Sequence, residues 1–427
     1  MRRSFLPLLL LAVASAGFLG SSGCTVISDI IGSEKRDVYK FGHSFTVDDP
    51  AFRRSLDAFG TTMVPGNTAE LLNNGDEIFP AMTEAIRRAQ KTVNLETYIF
   101  QPDEAGRQFA DAMIEAARRG VEVRLLIDAW GSKLGDLQGA LEKAGVKWRK
   151  YRPVRLFSFY KVGKRTHRRI LVVDGKVAFT GGVGIDKRWL GNARNSKEWR
   201  DTQVRVTGPV VDQMQAIFAE DWTYTTGEIL AGDKFYAKNE GSGGSVQAQA
   251  IKASRGDASS LAKMLYYVAI QSAAKSIHIQ NAYFIPDKQV RHALVAAVAR
   301  GVDVKVMVPG RNIDLPMVRL ASWLHYGDML KGGVKIYEYR DTMLHSKTMV
   351  VDGVFSTIGS INFDTRSMLR NAEASLSLYD RAFAQKMEAM FAEDLKRCDE
   401  ITYDGFKNRG LVKRVSELIS YIWEPYY

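Results

Sequence analysis

Hydrophobic and polar positions along the chain change rhythm in a fixed order, and the order occurs twice. In the first run, "AELL" precedes the amphipathic "EIFPAMTEAIRRAQ" and then the strand-like "TVNLETYIF". In the second, "VQAQAI" precedes "LAKMLYYVAIQSAA" and then "SIHIQNAYFI". Each run predicts strand, helix, strand, because a helical apolar stripe recurs about every 3.6 residues whereas a buried strand is a short apolar or alternating segment. Both runs continue through Pro-Asp into a helix ending on Arg-Gly-Val, "RRGVEVRLLIDA" against "ARGVDVKVMVPG". Gly120 and Gly301 fall at the helix C-caps, and the β-branched segments after them predict buried strands.

"AGVKW" and "GGVKIY" form the next matched pair. Two diverged copies in which strands alternate with helices predict an α/β fold with a mixed or largely parallel sheet. Between them "YAKNEGSGGSVQ" has the Gly and Ser content of a linker, which places the boundary near Gly241 to Gly244. The expected organisation is a first half over 60–225, a linker over 226–245, and a second half over 246–427 that closes with helices.

The start of the chain follows neither copy. "MRRSFLPLLLLAVASAGFLGSSGC" has two arginines, an apolar run from Phe5 to Phe18 and small residues before Cys24, the layout of a secretory signal over 1–23. The run is shorter than the about 20 apolar residues of a membrane span, and it contains Pro7. "GSSGC" resembles a bacterial lipobox, with Ser21 in place of the usual Leu, so Cys24 is the expected lipidation site. This predicts a protein of the bacterial cell envelope, lipid-anchored and facing the periplasm, with 24–59 as a tether. Thr25 is not the Asp that commonly retains lipoproteins at the inner membrane, which leaves inner and outer membrane open. Cys398 alone then remains as a thiol, so no intrachain disulfide can form.

Composition narrows the class without choosing a function. With 46% hydrophobic and 25% charged residues the chain is globular, not disordered. Loss of Arg2 and Arg3 with the signal leaves 57 basic against 48 acidic residues, or +9, which suits anionic lipid or nucleic acid.

The copies differ in length just before their most distinctive segment. Lys147 to His167 spans 20 positions and Lys335 to His345 spans 10. The extra residues lie in "RKYRPVRLFSFYKVGKRT", where seven Lys or Arg mix with Phe157, Phe159 and Tyr160. Such a segment is either a solvated basic loop or an interfacial element whose aromatics enter lipid.

Two related frames follow, "THRRILVVDG" and "LHSKTMVVDG". Side chains two apart on a strand share a face, so His167 projects with Arg169 and His345 with Lys347. Asp174-Gly175 and Asp352-Gly353 end the strands in turns. Two of only six histidines occupy matching frames in duplicated halves, which points to a catalytic pair. Their chemistry suits a phosphodiester: cations neutralise the nonbridging oxygens, a neutral imidazole attacks and an imidazolium protonates the leaving alcohol. A reference pKa of about 6.5 lets a pair of histidines hold both states near neutral pH, and no metal or other cofactor is required.

These frames resemble the hallmark of the phospholipase D superfamily, His-x-Lys-x4-Asp in each of two halves. Within it the chain resembles above all the bacterial cardiolipin synthases, through "NLETYIF", "HRRILVVDGKVAFTGG", "EWRDTQVRV", "QNAYFIPD", "ARGVDVKVMVPGR", "LHSKTMVVDG", "STIGSINFDTRS" and the closing "FAEDLKRCDEIT". The resemblance covers nearly all of the chain from about Gly60, but the paired membrane helices common at the start of such synthases are absent from this sequence. It implies two homologous α/β sandwich halves with one shared active site at their interface. It also implies a phosphatidyl transfer that makes cardiolipin through a phosphohistidine, with His167 as nucleophile and His345 as acid and base, or the reverse.

By the same resemblance Arg169, Asp174, Lys347 and Asp352 complete the catalytic motifs, and Asp201 in "EWRDTQ" and Glu373 in "RNAEAS" are orienting acids. Each acid holds the histidine of the opposite half, Glu373 with His167 and Asp201 with His345. Ser360 and Asn362 in "GSIN" match phosphate-binding positions, where the first half has Gly182 and Gly184. Phospholipids are the expected partners, with phosphatidylglycerol or phosphatidylethanolamine as donor, together with the membrane surface. Nucleic acid is not expected, and the oligomeric state is open. Water as acceptor would make the same site a hydrolytic phospholipase D, and loss of activity would leave a lipid-binding lipoprotein. Arg169 departs from the motif's Lys but keeps the charge, and its planar fork can grip two phosphate oxygens where Lys offers a point charge.

Overall fold

The computed structural model describes residues 39–42, 45–58, 61–153, 165–239, 243–253 and 258–410. Cys24 and the expected signal over 1–23, most of the basic insert, part of the expected Gly-Ser linker and the last 17 residues lie outside the described residues. The described residues of both halves belong to one compact unit that begins at Phe41.

The first half contributes β1 (Val64–Asn73), β2 (Thr92–Thr97), β3 (Glu122–Asp128), β4 (Lys147–Tyr151), β5 (Ile170–Val173), β6 (Val177–Gly181) and β7 (Thr202–Thr207). The second contributes β8 (Val246–Ala253), β9 (Ser276–Asn281), β10 (Asp303–Pro309), β11 (Lys335–Tyr339), β12 (Lys347–Val351), β13 (Phe355–Gly359), β14 (Glu373–Tyr379) and β15 (Cys398–Ile401). They form one mixed sheet in the order β15-β11-β10-β9-β12-β13-β14-β8-β1-β7-β6-β5-β2-β3-β4. Read outward from the β8–β1 junction, the two halves have the same order, and β15 is an extra edge strand in the second.

Parallel pairing is confined to β2-β3-β4 and β9-β10-β11. There a helix crosses over between consecutive strands, as the helices Glu104–Arg118 and Lys288–Ala299 do. Gly120 and Gly301 follow the last turns of those two helices at φ +91° and +90°, the left-handed conformation that lets the chain reverse into β3 and β10. Elsewhere the order is antiparallel, because each Asp-Gly turn folds a hairpin, β5–β6 or β12–β13. The sheet is therefore mixed, and the largely parallel alternative does not hold.

A shared core joins the halves. Val172, Val204 and Val206 pack with Val350, Ile358 and Leu376, together with Met214 and Phe218 of the helix Val210–Thr226 and Met387 of the helix Arg381–Leu395. Each such side chain contributes about 1.5–3 kcal/mol by leaving water, so the halves are stabilised as a unit. Two segments expected to be loose are packed. Within the supposed tether, the helix Pro50–Leu56 buries Phe52 and Leu56 against the second half, with Phe52 edge-on to Phe355 at 5.2 Å. Within the supposed linker, Leu230 and Phe235 are buried in the shared core. The apolar residues in these stretches, rather than their distance from the repeats, decided their placement.

Candidate active site

The histidine frames lie in extended backbone just ahead of β5 and β12, where each crosses to the other half. His167 N donates to Ala372 O (2.8 Å) and Ala372 N to Arg165 O (2.9 Å). Symmetrically, His345 N donates to Arg200 O (2.7 Å) and Arg200 N to Met343 O (2.9 Å). Each histidine is thus pinned beside the residue that precedes the opposite half's acid, and crosswise side-chain pairs follow. His167 Nδ1 lies 2.9 Å from Glu373 Oε2, and His345 Nδ1 lies 2.8 Å from Asp201 Oδ2. A carboxylate accepting from Nδ1–H leaves the Nε2 lone pair of a neutral imidazole free for chemistry.

Both cations sit on their own histidines. Arg169 Nη1 donates to His167 O (2.9 Å) and Nη2 to His167 Nε2 (3.0 Å). Lys347 Nζ donates to His345 O (2.6 Å) and stands 3.1 Å from His345 Nε2. A cavity of about 200 Å³ lies over the pair, walled by Tyr98, Trp199, Tyr283 and Leu315 and by the polar residues Arg165, Asn362, Asp364, Arg366 and Asn371. Arg169 Nε, Asn362 Oδ1 and Asn371 Oδ1 are buried polar atoms of this lining without a hydrogen-bond partner. Burying a polar group unpaired costs about 1–3 kcal/mol, so such atoms mark a surface built for a polar ligand. The three guanidinium groups of Arg165, Arg169 and Arg366, with Lys347 behind the histidines, fit an anion, whereas the unpaired oxygens of Asn362 and Asn371 are acceptors and suit a hydroxyl on the ligand. Among the described residues no group of three or more His, Cys, Asp or Glu can hold a metal ion.

Burial governs the electrostatics. It lowers His167 to about 4, helped by the charge of Arg169 and opposed by Glu373. It lowers His345 well below its ordinary value, with Lys347 and Arg169 adding to the effect. It raises Asp201 to about 6 and lowers Lys347 to about 7. With both lowered, the imidazoles favour the neutral form near neutral pH. An arriving phosphodiester reverses the balance, because its negative charge offsets Arg169 and Lys347 and favours an imidazolium at His345.

Three expected site residues take other positions. Asp174 accepts from the backbone N–H groups of Gln90, Lys91 and Thr92 (2.7–2.9 Å), and Asp352 from those of Ala274, Lys275 and Ser276 (2.7–2.9 Å). Each lies seven residues beyond its histidine along a strand that rises about 3.3 Å per residue. These acids therefore fix the start of β2 and β9 and touch no reacting atom. Ser360 donates from Oγ to Glu373 Oε2 (2.6 Å), which makes it a brace for the acid rather than a phosphate ligand. Asn362 does line the cavity. At Gly182 an added Cβ would meet Asp201 Oδ1 at 2.2 Å, so close approach of the acid explains the glycine. Trp189 Nε1 donates to Asp201 Oδ2 (2.8 Å), the task that Ser360 has in the other half.

Sequence reasoning passed over the wall residues and Arg200. The guanidinium of Arg200 is buried, bonded to Asp394 (2.9 and 3.0 Å), Thr202 Oγ1 (2.9 Å) and the carbonyl of Asp201. The repeated "FAED", which holds Asp221 and Asp394, was the available signal: Asp221 pairs with Arg168 (2.8 Å), beside His167, as Asp394 pairs with Arg200, beside Asp201.

Comparison with known proteins agrees with this architecture. The family described as cardiolipin synthase, PLD-like domain, matches residues 82–222 and 266–395, one range in each half. A cardiolipin synthase of Geobacillus sp. (strain WCH70) is 38% identical over 362 residues, covering 83% of this chain and 71% of the relative. The probable cardiolipin synthase YwiE of Bacillus subtilis (strain 168) is 36% identical over 374 residues, covering 86% and 73%. The crystal structure of phosphatidylserine synthase from Haemophilus influenzae Rd KW20 superposes with a TM-score of 0.65 at 14% identity, over 87% of this chain and 96% of that one, a likeness of fold.

Proposed function

Because the chain belongs to the cardiolipin synthase family with paired PLD-like domains, we propose that it is a phosphatidyltransferase that makes cardiolipin. The observation that carries this reading is the crosswise pairing of two buried histidines with the opposite half's acids above one cation-lined cavity. The donor's phosphate enters between Arg169, Arg366 and Asn362, and the guanidinium of Arg169 moves from His167 Nε2 onto a phosphate oxygen. The freed Nε2 attacks phosphorus as the donor's ester bond breaks, and His345 gives its proton to the departing alcohol. His345 then takes the hydroxyl proton of a phosphatidylglycerol whose oxygen bonds to phosphorus, and the P–N bond to His167 breaks. Charge builds on the phosphoryl oxygens in both steps, where Arg169 and Lys347 contribute most.

Phosphatidylglycerol, losing glycerol, and phosphatidylethanolamine, losing ethanolamine, are the donors that fit. No helix among the described residues is long and apolar enough to cross a membrane. Attachment in the bacterial envelope through lipidated Cys24 is supported by the lipobox-like "GSSGC". Cys24→Ala should then block palmitate incorporation, and an unmodified protein that never takes up the label would refute the anchor. For the activity, purified protein is incubated with phosphatidylglycerol vesicles, alone or mixed with phosphatidylethanolamine, and the products are identified by mass. Cardiolipin is expected; phosphatidic acid alone would identify a hydrolase, and bound but unchanged lipid a non-catalytic relative.

A further inference from the structure

The cavity over the histidines encloses about 200 Å³, whereas making cardiolipin brings two phosphate-bearing lipids together. Across Trp199 from the cavity opens a groove of about 660 Å³. Trp199 belongs to both walls, and its ring lies 5.4 Å from that of His345. Arg188 lines the groove and stacks 4.5 Å over Trp199, so the groove adjoins the indole that packs on His345.

The groove is cationic. Lys187, Arg188, Arg194 and Lys197 line it against Glu104 and Glu198, four positive charges to two negative. The arginines are engaged, Arg188 with Asp186 (2.8 Å) and Arg194 with Glu198 (2.9 Å). Lys187 and Lys197 bond through their backbone N–H groups to Asp103 (2.8 Å) and Asn195 (3.0 Å), and their amino groups make no ion pair with a described residue. Two uncommitted ammonium groups beside braced arginines favour a dianionic or monoanionic oxygen ligand.

We infer that this groove is the acceptor site, where Lys187 and Lys197 hold the phosphate of the incoming phospholipid while its free hydroxyl reaches His345. The inference rests on the transferase reading above and adds to it the determinant that selects a phosphate-bearing acceptor over other hydroxyl compounds. A neutral alcohol uses the same phosphohistidine and the same base without touching the groove.

The test is a competition in one tube. Purified full-length protein acts on phosphatidylglycerol vesicles with ethanol present, and cardiolipin and phosphatidylethanol are quantified by mass. Because both products arise from one intermediate, their ratio cancels differences in donor binding and in the amount of folded enzyme. Lys187→Gln combined with Lys197→Gln should lower the cardiolipin-to-phosphatidylethanol ratio by about tenfold, and Lys187→Arg with Lys197→Arg should restore most of it. An unchanged ratio in the Gln double variant overturns the assignment, as does an equal loss in the Arg double variant. A wild type that yields phosphatidylethanol but no cardiolipin overturns the acceptor site while transfer itself stands. Absence of all products refutes the transferase reading.

Discussion

In the second half Lys347 packs on His345, whose partner Asp201 is braced by the indole of Trp189; in the first half Arg169 packs on His167, whose partner Glu373 is braced by the hydroxyl of Ser360. The two arrangements do the same work with different side chains. The shorter acid lies against the backbone of Gly182, where a Ser side chain has no room, so its brace comes from a distant indole. The longer acid reaches further, and Ser360, on the equivalent residue, braces it directly. The cations differ in a way that affects chemistry. Burial brings Lys347 to about 7, within the working pH range, whereas a guanidinium remains charged there. Arg169 is therefore a permanent phosphate clamp beside the proposed nucleophile, and Lys347 a titratable one beside the acid and base.

The largest effects should show the halves acting as one site. His167→Ala and His345→Ala should each lower lipid transfer by about 10⁴-fold or more, and the double variant should be no worse. Near-normal turnover in either folded single variant would split the site in two. Next come the acids: Glu373→Gln and Asp201→Asn should each cost about 10²–10⁴-fold in kcat, since the wrong tautomer removes the reactive lone pair. An effect confined to KM would show that the acids merely shape the cavity.

These expectations also mark how far the sequence was legible. The matched frames singled out both histidines and their cations, whereas the crosswise partners Asp201 and Glu373 were implied by the family resemblance and by no spacing in this sequence. Ser360 was placed near the site but in the wrong role, because a motif position does not reveal which oxygen its hydroxyl meets. Asp174 and Asp352 stood out through regular spacing, yet spacing cannot distinguish a reacting acid from one that ties a strand end to neighbouring amides. Tyr98 and Tyr283 follow the matched strands β2 and β9, in "NLETYIF" and "QNAYFI", so the repeat marked both, but nothing in it showed that they and Asp364 face one cavity. The strand order was open at sequence level because β5 and β12 could enter either way, and the Asp-Gly hairpins settled it.

Arg169→Ala should reduce kcat by about 10²–10³-fold, as loss of one preorganised donor to developing charge does. Arg169→Lys should retain measurable transfer, and Lys347→Ala should match Arg169→Ala in severity. Wild-type rates in Arg169→Ala would make it a packing residue. The pH profile sharpens the contrast. Asp201 loses its charge as pH falls through about 6, and Lys347 loses its charge as pH rises through about 7. Hence kcat/KM on a short-chain donor should peak between these values and decline on both sides. Lys347→Arg should move only the alkaline limb upward, giving about a tenfold gain relative to wild type at about pH 8. An unmoved alkaline limb would assign it to another group. The smallest change is in stability: Gly182→Ser should cost about 1–3 kcal/mol by crowding Asp201, seen as a lower Tm, and an unchanged Tm would show that the acid has room to shift.

Trapping the intermediate decides whether the halves share one site with His167 as nucleophile. A nitrophenyl ester of phosphatidic acid has a leaving group that needs no acid, so His345→Ala should form the adduct yet fail to pass it on. Rapid quenching and peptide mass mapping should then find a burst of one equivalent of nitrophenol and a phosphatidyl group on the peptide bearing His167, with no burst from His167→Ala. An adduct on His345 in the His167→Ala protein, or sustained turnover without any adduct, would rule out His167 as the nucleophile of a shared site.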